Sequence, residues 1–145
     1  KHPYLLPIHS VFKAFCLIFS IIFTEIFAGS CRFALPTVVL KVSLLLEPVI
    51  EYTKQNYHLQ ISIPEISNIA SLQPEYFCRF FKKHMGCTYL EYINEIRLSH
   101  IYQDLTSTDY PLYQLLEIHG FKNYRVFRRM FHEHFHTTPA HFEKN

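Results

Sequence analysis

Two stretches in the second half of this chain are variants of one pattern. Tyr76-Phe77-Cys78-Arg79-Phe80-Phe81 returns about 50 residues later as Val126-Phe127-Arg128-Arg129-Met130-Phe131. The same offset joins Thr88 to Thr138 and Tyr92 to Phe142. After a one-residue slip, Ser71-Leu72 answers to Gly120-Phe121 and Ile66 to Leu115. Each copy reads as a short helix, a tight turn and a longer helix with an arginine on its outer face. Two such units in one chain predict two helix-turn-helix readers for two segments of one duplex.

The background supports packed helices. The chain has 14 Phe and 10 Tyr among 145 residues and only 3 Gly, which argues against disorder and against a turn-rich β-fold. Its formal charge is +2 with histidines neutral. From Ile61 onward, four Lys and five Arg face seven Glu and two Asp, so that region is formally neutral. A nucleic-acid partner must therefore be argued from where charge sits, not from its sum. Cys16, Cys31, Cys78 and Cys87 show neither a CxxC nor zinc-finger spacing, and read as reduced thiols. The chain begins Lys1-His2 without an initiator methionine and is expected to be a piece of something longer.

Residues 8–28, IHSVFKAFCLIFSIIFTEIFA, are strongly apolar. Val11, Phe15, Ile18, Ile22 and Ile26 follow helical spacing, while Cys16, Leu17 and Ile21 make the other side apolar too. Such a helix is buried against partners or lipid. Lys13 and Glu25 leave only Ala14–Thr24 free of charge, too short for a span of about 20 apolar residues. Ala28-Gly29-Ser30 before Cys31 has the look of a lipoprotein-type signal, but Glu25 sits badly in one. The expectation is a packed or dimerising helix and no membrane.

Beyond the break at Ser30 to Pro36, a helix is expected over Pro36–Gln55, with Pro48 as a kink or a new first turn. If it restarts there, Val49, Tyr52 and Thr53 face the core. His58–Ser62 is linker. Pro64 at a first helical position begins a helix to about Ala70, and Pro74 begins the next, which runs to His84 and stops at Gly86. A long central helix, about Tyr89–Leu105, carries Leu90, Ile93, Ile96, Leu98 and Ile101 as its apolar face. Pro111 starts a third short helix, Gly120 marks its turn, and Asn123 caps a helix to about Phe135. Pro139 opens a final short helix. The fold class is all-α: two helix-turn-helix subdomains joined by a long linker helix and preceded by one or two apolar helices. The organisation is an N-terminal helical segment over 1–46 and a binding domain over 47–145, with units at about 47–88 and 106–145 and the linker helix at about 89–105.

Function is expected on the longer helix of each unit. Phe127, Met130 and Phe131 make one face core, leaving Arg125, Arg128 and Arg129 on the other side or its flanks, with Lys122 just before and Glu133 opposing them. His132, His134 and His136 follow, each able to add charge at mildly acidic pH. In the first unit Arg79, Lys82, Lys83 and His84 lie behind Phe77, Phe80 and Phe81. A recognition helix needs this division, because aromatics fix its angle while arginine forks reach guanine O6/N7 or phosphate. For either helix alone an ordinary amphipathic helix with a solvated basic face is the plainer reading; recurrence at the same place in both copies favours the reader. His132 and His136 are i,i+4, a spacing that could hold a metal, but no third ligand is assured and no metal is expected. No nucleophile–base pair, paired carboxylates or phosphate-binding glycine loop is present, so neither an enzyme nor a cofactor is expected.

These residues resemble the C-terminal DNA-binding domain of AraC/XylS-type bacterial transcription regulators, in which a long helix joins two helix-turn-helix units. The second unit of that family carries a pattern like IA…GF…S-x-F-x-R-x-F-K…G-x-T-P. The matching residues are Leu115-Leu116, Gly120-Phe121, Phe127, Arg129, Phe131 and Thr138-Pro139. The first unit matches through Glu65-Ile66, Leu72, Pro74, Tyr76-Phe77, Arg79, Phe81-Lys82-Lys83, Gly86 and Thr88, and the linker through Tyr92-Ile93, Arg97-Leu98 and Leu105. The likeness covers about Glu47–Phe142. It implies a cytoplasmic bacterial regulator that binds double-stranded DNA and meets RNA polymerase, leaving activation and repression both open. Base-facing residues would be Glu75, Cys78 and Arg79, then Tyr124, Arg125 and Arg128, with Arg129 near phosphate or base. Lys82, Lys83 and Lys122 would touch phosphates, and Arg97 would be structural. Glu75 has an equally good role as a first-turn acid on the helix dipole. The resemblance also implies that a helix like Ile8–Phe27 follows a sensor barrel, which this chain is expected to lack, and supports a homodimer through residues 8–28.

The chain departs from the pattern in several places. The usual small residue is Ser67 in one unit but Leu116 in the other; the first turn has Ser71 instead of glycine; Gln73 replaces a capping serine; His136 replaces a late glycine, and Glu143 an arginine. These replacements and the neutral sum leave a rival, a protein-interaction module or decayed regulator that keeps the fold and binds DNA weakly. A third reading is a helical protein tethered to a membrane by residues 14–27.

Overall fold

The computed structural model describes residues 37–141, which form six α-helices and a closing 3-10 turn. The apolar segment 8–28, the expected dimer contact and Glu143 lie outside the described residues. Helix α1 is Thr37–Asn56, α2 Ile63–Ile69, α3 Pro74–Met85, α4 Tyr89–Ser107, α5 Leu112–Ile118 and α6 Tyr124–Phe135; the turn is Pro139–His141. Two short-then-long helix pairs, α2–α3 and α5–α6, flank α4 in sequence.

Local chemistry sets each start. Ser62 Oγ accepts from the Glu65 amide while Glu65 Oε2 accepts from the Ser62 amide, both at 3.3 Å. Thr88 and Glu91 repeat this reciprocal cap on α4, at 3.2 and 2.7 Å. The spacings Ser62-x-x-Glu65 and Thr88-x-x-Glu91 announce both caps. Asn123 Oδ1 accepts from the Val126 amide at 3.1 Å, as expected, while Gln73 makes no side-chain cap.

The copies also match in their backbone corners. Ser71 and Gly120 turn the first and second units with φ of 54° and 68°, and Gly86 and His136 end α3 and α6 at 78° and 53°. Each unit thus uses one glycine and one ordinary residue in the left-handed region. The ordinary residues carry a strain of about 1 kcal/mol each.

Helix α1 runs unbroken through Pro48, and the boundary expected between residues 46 and 47 falls inside it. Proline costs one backbone bond, which the burial of Val49 and Thr53 on its C-terminal side offsets. Thr53 Oγ1 donates to the Val49 carbonyl at 2.6 Å and shares a hydrogen bond with the Tyr89 hydroxyl at 2.9 Å, tying α1 to the start of α4.

The first core is aromatic. Phe77, Phe81, Tyr89 and Tyr92 meet with ring centroids 5.5–5.7 Å apart, in tilted or edge-on geometry. The second core gathers Leu98, Ile101 and Leu105 of α4 with Leu112, Leu115, Phe121, Phe127, Met130 and Phe131. Helix α4 therefore serves the first core with its first half and the second with its last. Its buried stripe is Tyr89, Tyr92, Ile93, Asn94, Arg97, Leu98, Ile101 and Leu105. Leu90, expected inside, is 62% exposed, and Ile96 is only half-buried. The stripe advances mostly in fours and passes through Arg97, a position that polarity alone would place outside. Leu116, large for its position, packs at the edge of the second core, half-buried. Ser67 is fully buried and donates to the Pro64 carbonyl at 2.9 Å.

Candidate nucleic-acid interface

Helices α3 and α6 have the same division of faces. In α3, Phe77, Phe80 and Phe81 are buried, and Glu75, Cys78, Arg79, Lys82 and Lys83 are exposed. In α6, Phe127, Met130 and Phe131 are buried, and Tyr124, Arg125, Arg128 and Arg129 are exposed, with Lys122 exposed just before. All ten expected residues thus lie at the surface, on or beside these two helices. Their spacings of three and four give each helix one outward ridge: 75, 78/79 and 82 on α3, and 124/125, 128/129 and 132 on α6. Tyr76, absent from the expected set, is 52% exposed on α3 and adds an aromatic surface beside Arg79.

The ridges differ in charge. Arg79, Arg125 and Arg128 carry no ion pair among the described residues, whereas Arg129 Nε lies 4.0 Å from Glu133 Oε1. That contact is exposed on both sides and worth only a few tenths of a kcal/mol. Glu91, at the start of α4, feels both units. Its carboxyl is held below the usual range first by hydrogen bonds from the Thr88 amide and hydroxyl, and further by the charges of Lys82 and Arg129. The foot of the linker helix is thus within electrostatic reach of a cation from each reader.

The histidines behave less uniformly than their spacing suggested. His84 packs against Phe80 with centroids 4.5 Å apart, and burial, aided by the Lys83 charge, lowers its pKa. It belongs to the aromatic seam, not to the cationic ridge. His134 Nε2 sits 2.8 Å from Glu95 Oε1 on α4, anchoring the end of α6. His136 is the left-handed corner. His132 alone of the three stands exposed on the ridge without such a task.

Arg97 is structural, as expected. It is 6% exposed and spans from α4 to the loop after α1: Nε and Nη2 donate to the Tyr57 and Leu59 carbonyls, both at 2.7 Å, and Nη1 to Asn94 Oδ1 at 3.4 Å. It fixes the connection on which the second unit leans.

Comparison with known proteins agrees with this geometry. A family model described as a helix-turn-helix domain matches residues 66–145. The chain is 34% identical over 85 residues to a probable transcription factor, PqrA, of Proteus vulgaris, covering 59% of this chain and 70% of that protein. It is 28% identical over 96 residues to an uncharacterized response regulatory protein of Staphylococcus epidermidis, covering 66% of this chain but 38% of the relative's length. Among solved structures, the DNA-binding domain of the global transcriptional factor AdpA, in complex with a target DNA, superposes with a TM-score of 0.60 at 21% identity, covering 68% of this chain and 88% of that one. A regulator with an AraC-type DNA-binding domain from Chromobacterium violaceum gives 0.60 at 23% identity, covering 70% and 90%. By the matched family model, the relatives and the double helix-turn-helix body, the chain belongs to the AraC-type helix-turn-helix family of DNA-binding transcription regulators.

Proposed function

We propose that this chain reads duplex DNA with both units, α3 and α6 entering successive major-groove segments on one face, about 34 Å apart. One observation carries the reading: two equivalent helices each bury an aromatic seam in the body and turn unpaired arginines outward, and both are seated on α4. Arg79, Arg125 and Arg128 reach base edges, and Arg129 reaches phosphate or base. Glu75, Cys78 and Tyr124 complete the base-facing set, and Lys82, Lys83 and Lys122 hold phosphates. Residues 47–145 form the DNA-binding domain, and residues 8–28 join two copies. The protein acts in the bacterial cytoplasm together with RNA polymerase. That the similar domain of AdpA is found in complex with a target DNA supports DNA as the partner.

A salt titration of affinity tests this and separates it from the protein-interaction reading. Three lysine–phosphate contacts alone give log K against log[salt] a slope of about −3. Sequences selected from a random-duplex pool should then bind far more tightly than the pool itself. A slope near zero, or no enrichment, defeats the proposal.

A further inference from the structure

Behind the turn of the second unit lies a polar junction that DNA reading does not use. His119, the residue that ends α5, is 5% exposed. Its Nε2 is 2.8 Å from Asp104 Oδ2 on α4, and its Nδ1 is 3.2 Å from the Tyr57 hydroxyl. The Tyr57 ring lies flat on His100 of α4, with centroids 4.3 Å apart and planes 5° from parallel. The His100 and His119 rings face each other at 5.8 Å. Alongside, Gln60 Nε2 donates to the Gly120 carbonyl at 3.0 Å, and Arg97 holds the Tyr57 and Leu59 carbonyls. Three elements meet here: the 57–60 strap, helix α4 and the 119–120 turn.

We propose that His100 makes this junction a proton-sensitive clamp: with His100 neutral the strap and turn are docked on α4, and its protonation releases them. The groups around His100 set the sign. The strap brings Tyr57 against its face and His58 edge-on to Tyr57 at 5.7 Å. The end of α5 brings His119. Helix α4 itself brings Arg97 one turn before and Asp104 one turn after. Arg97 is engaged by the Tyr57 and Leu59 carbonyls, and Asp104 by His119. The carboxylate of Asp104 only accepts, so His119 Nε2 donates to it. A proton on His100 therefore adds charge to a half-buried stack whose nearby carboxylate is already engaged.

Burial and the neighbouring His119 hold the His100 pKa below the ordinary histidine range, with Asp104 pulling weakly the other way. A lowered value in the docked state means that docking takes up fewer protons than release does. Docking is complete above the ordinary value of about 6.5 and is lost as pH falls from there toward the lowered one.

Hydrogen–deuterium exchange of the full chain, expressed as protection factors, tests the clamp without DNA. Between about pH 7.5 and 5, the amides of Leu59, His119, Gly120 and Phe121 should lose about tenfold in protection per unit by which the pKa is lowered. Those of Phe77 and Phe81 in α3 should not change. His100→Phe keeps the stack and cannot titrate, so its strap protection should be flat with pH. An NMR titration of the unaltered chain supplies a second reading that needs no variant. Unchanged protection in the unaltered chain, the same acid loss in His100→Phe, or a His100 imidazole titrating at or above 6.5 would each overturn the proposal.

Discussion

Gly120 lies against the backbone of His58, so close that a β-carbon at position 120 would overlap the His58 carbonyl oxygen and stand 2.8 Å from its carbonyl carbon. The turn of the second unit and the strap leaving α1 are thereby in backbone contact, and only glycine permits it. Gly86, the left-handed glycine that ends α3, has φ of 78° but nothing within 4 Å of such an atom. The two glycines separate backbone strain from close approach. Gly86→Ala should cost about 1–2 kcal/mol, the left-handed penalty alone. Gly120→Ala should cost about 1–3 kcal/mol more, since backbone must move to relieve the overlap. Urea unfolding of both variants measures the difference; equal losses would mean that the His58 contact is not tight in solution.

Arg97 predicts a loss of a different kind. Its guanidinium is the partner of two loop carbonyls, so Arg97→Met leaves Tyr57 and Leu59 oxygens beside an apolar chain. Each orphaned acceptor costs about 1–3 kcal/mol, less what water recovers at the loop edge. A loss of about 2–4 kcal/mol in unfolding free energy is expected. Arg97→Lys should recover only part of it, because one ammonium cannot reproduce the fork. The salt dependence of DNA binding should be unchanged in Arg97→Met, because Arg97 is expected to meet loop carbonyls and not phosphate. A slope flattened by about one contact in that variant would place Arg97 on DNA instead.

Much of this architecture was legible in sequence because it is written in local spacing. Phe77/Phe81 and Phe127/Phe131 are four apart, Pro74 and Asn123 mark starts, and Gly86 and Gly120 mark corners. Those signals fixed both recognition helices to within a residue. The linker helix was harder. Periodicity sorts residues by polarity, so it admitted Leu90 and passed over Arg97, whose burial depends on carbonyls 38 and 40 positions away. The His119–Tyr57 contact spans 62 positions and left no trace that spacing could reveal. Of the histidines of α6, His132 stands on the ridge, while His134 is turned to Glu95 on another helix, a contact 39 positions away that spacing cannot reveal. The reciprocal caps at Ser62 and Thr88 are equally local, each written in a Ser/Thr-x-x-Glu spacing. The outward set on α3 and α6 was legible because a helix that buries one face must expose the other.

Tyr89 gives a prediction at the alkaline end. Its ring fills the first core, and burial is the main cause that pushes its pKa up to about 12, against lowering by the Thr53 hydrogen bond and Arg97. The unfolded chain ionises its tyrosines near 10, so the folded state holds this proton longer. The sign follows: Tyr89 contributes its full stabilisation below pH 10, and the contribution is lost as pH rises toward about 12. The loss approaches about 2–3 kcal/mol over that window. Tyr89→Phe should be less stable at pH 7 through the lost Thr53 bond, yet flatter between pH 10 and 12. Parallel curves for the two proteins in alkaline denaturation would remove Tyr89 as the source.

The two readers should contribute unequally to DNA binding, and the inequality is measurable. On α6, Arg125, Arg128 and Arg129 all stand exposed, while α3 offers Arg79 with Lys82 and Lys83, and Glu75 on the same ridge. Arg79→Ala and Arg129→Ala should each weaken binding to a selected site by about 1–3 kcal/mol. Neutralising all three α6 arginines should flatten the salt slope by at most about 1, through Arg129, and Arg79→Ala should leave it unchanged. Arg79→Ala should instead relax discrimination at a base in its own half of the site. Glu133→Gln offers a check in the opposite direction. It frees Arg129 from an exposed pair 4.0 Å long and removes a negative charge beside the DNA, so affinity should rise slightly. A fall in affinity would assign Glu133 to holding Arg129 in place for its contact, and wild-type affinity from both arginine variants would move the reading face elsewhere on these helices.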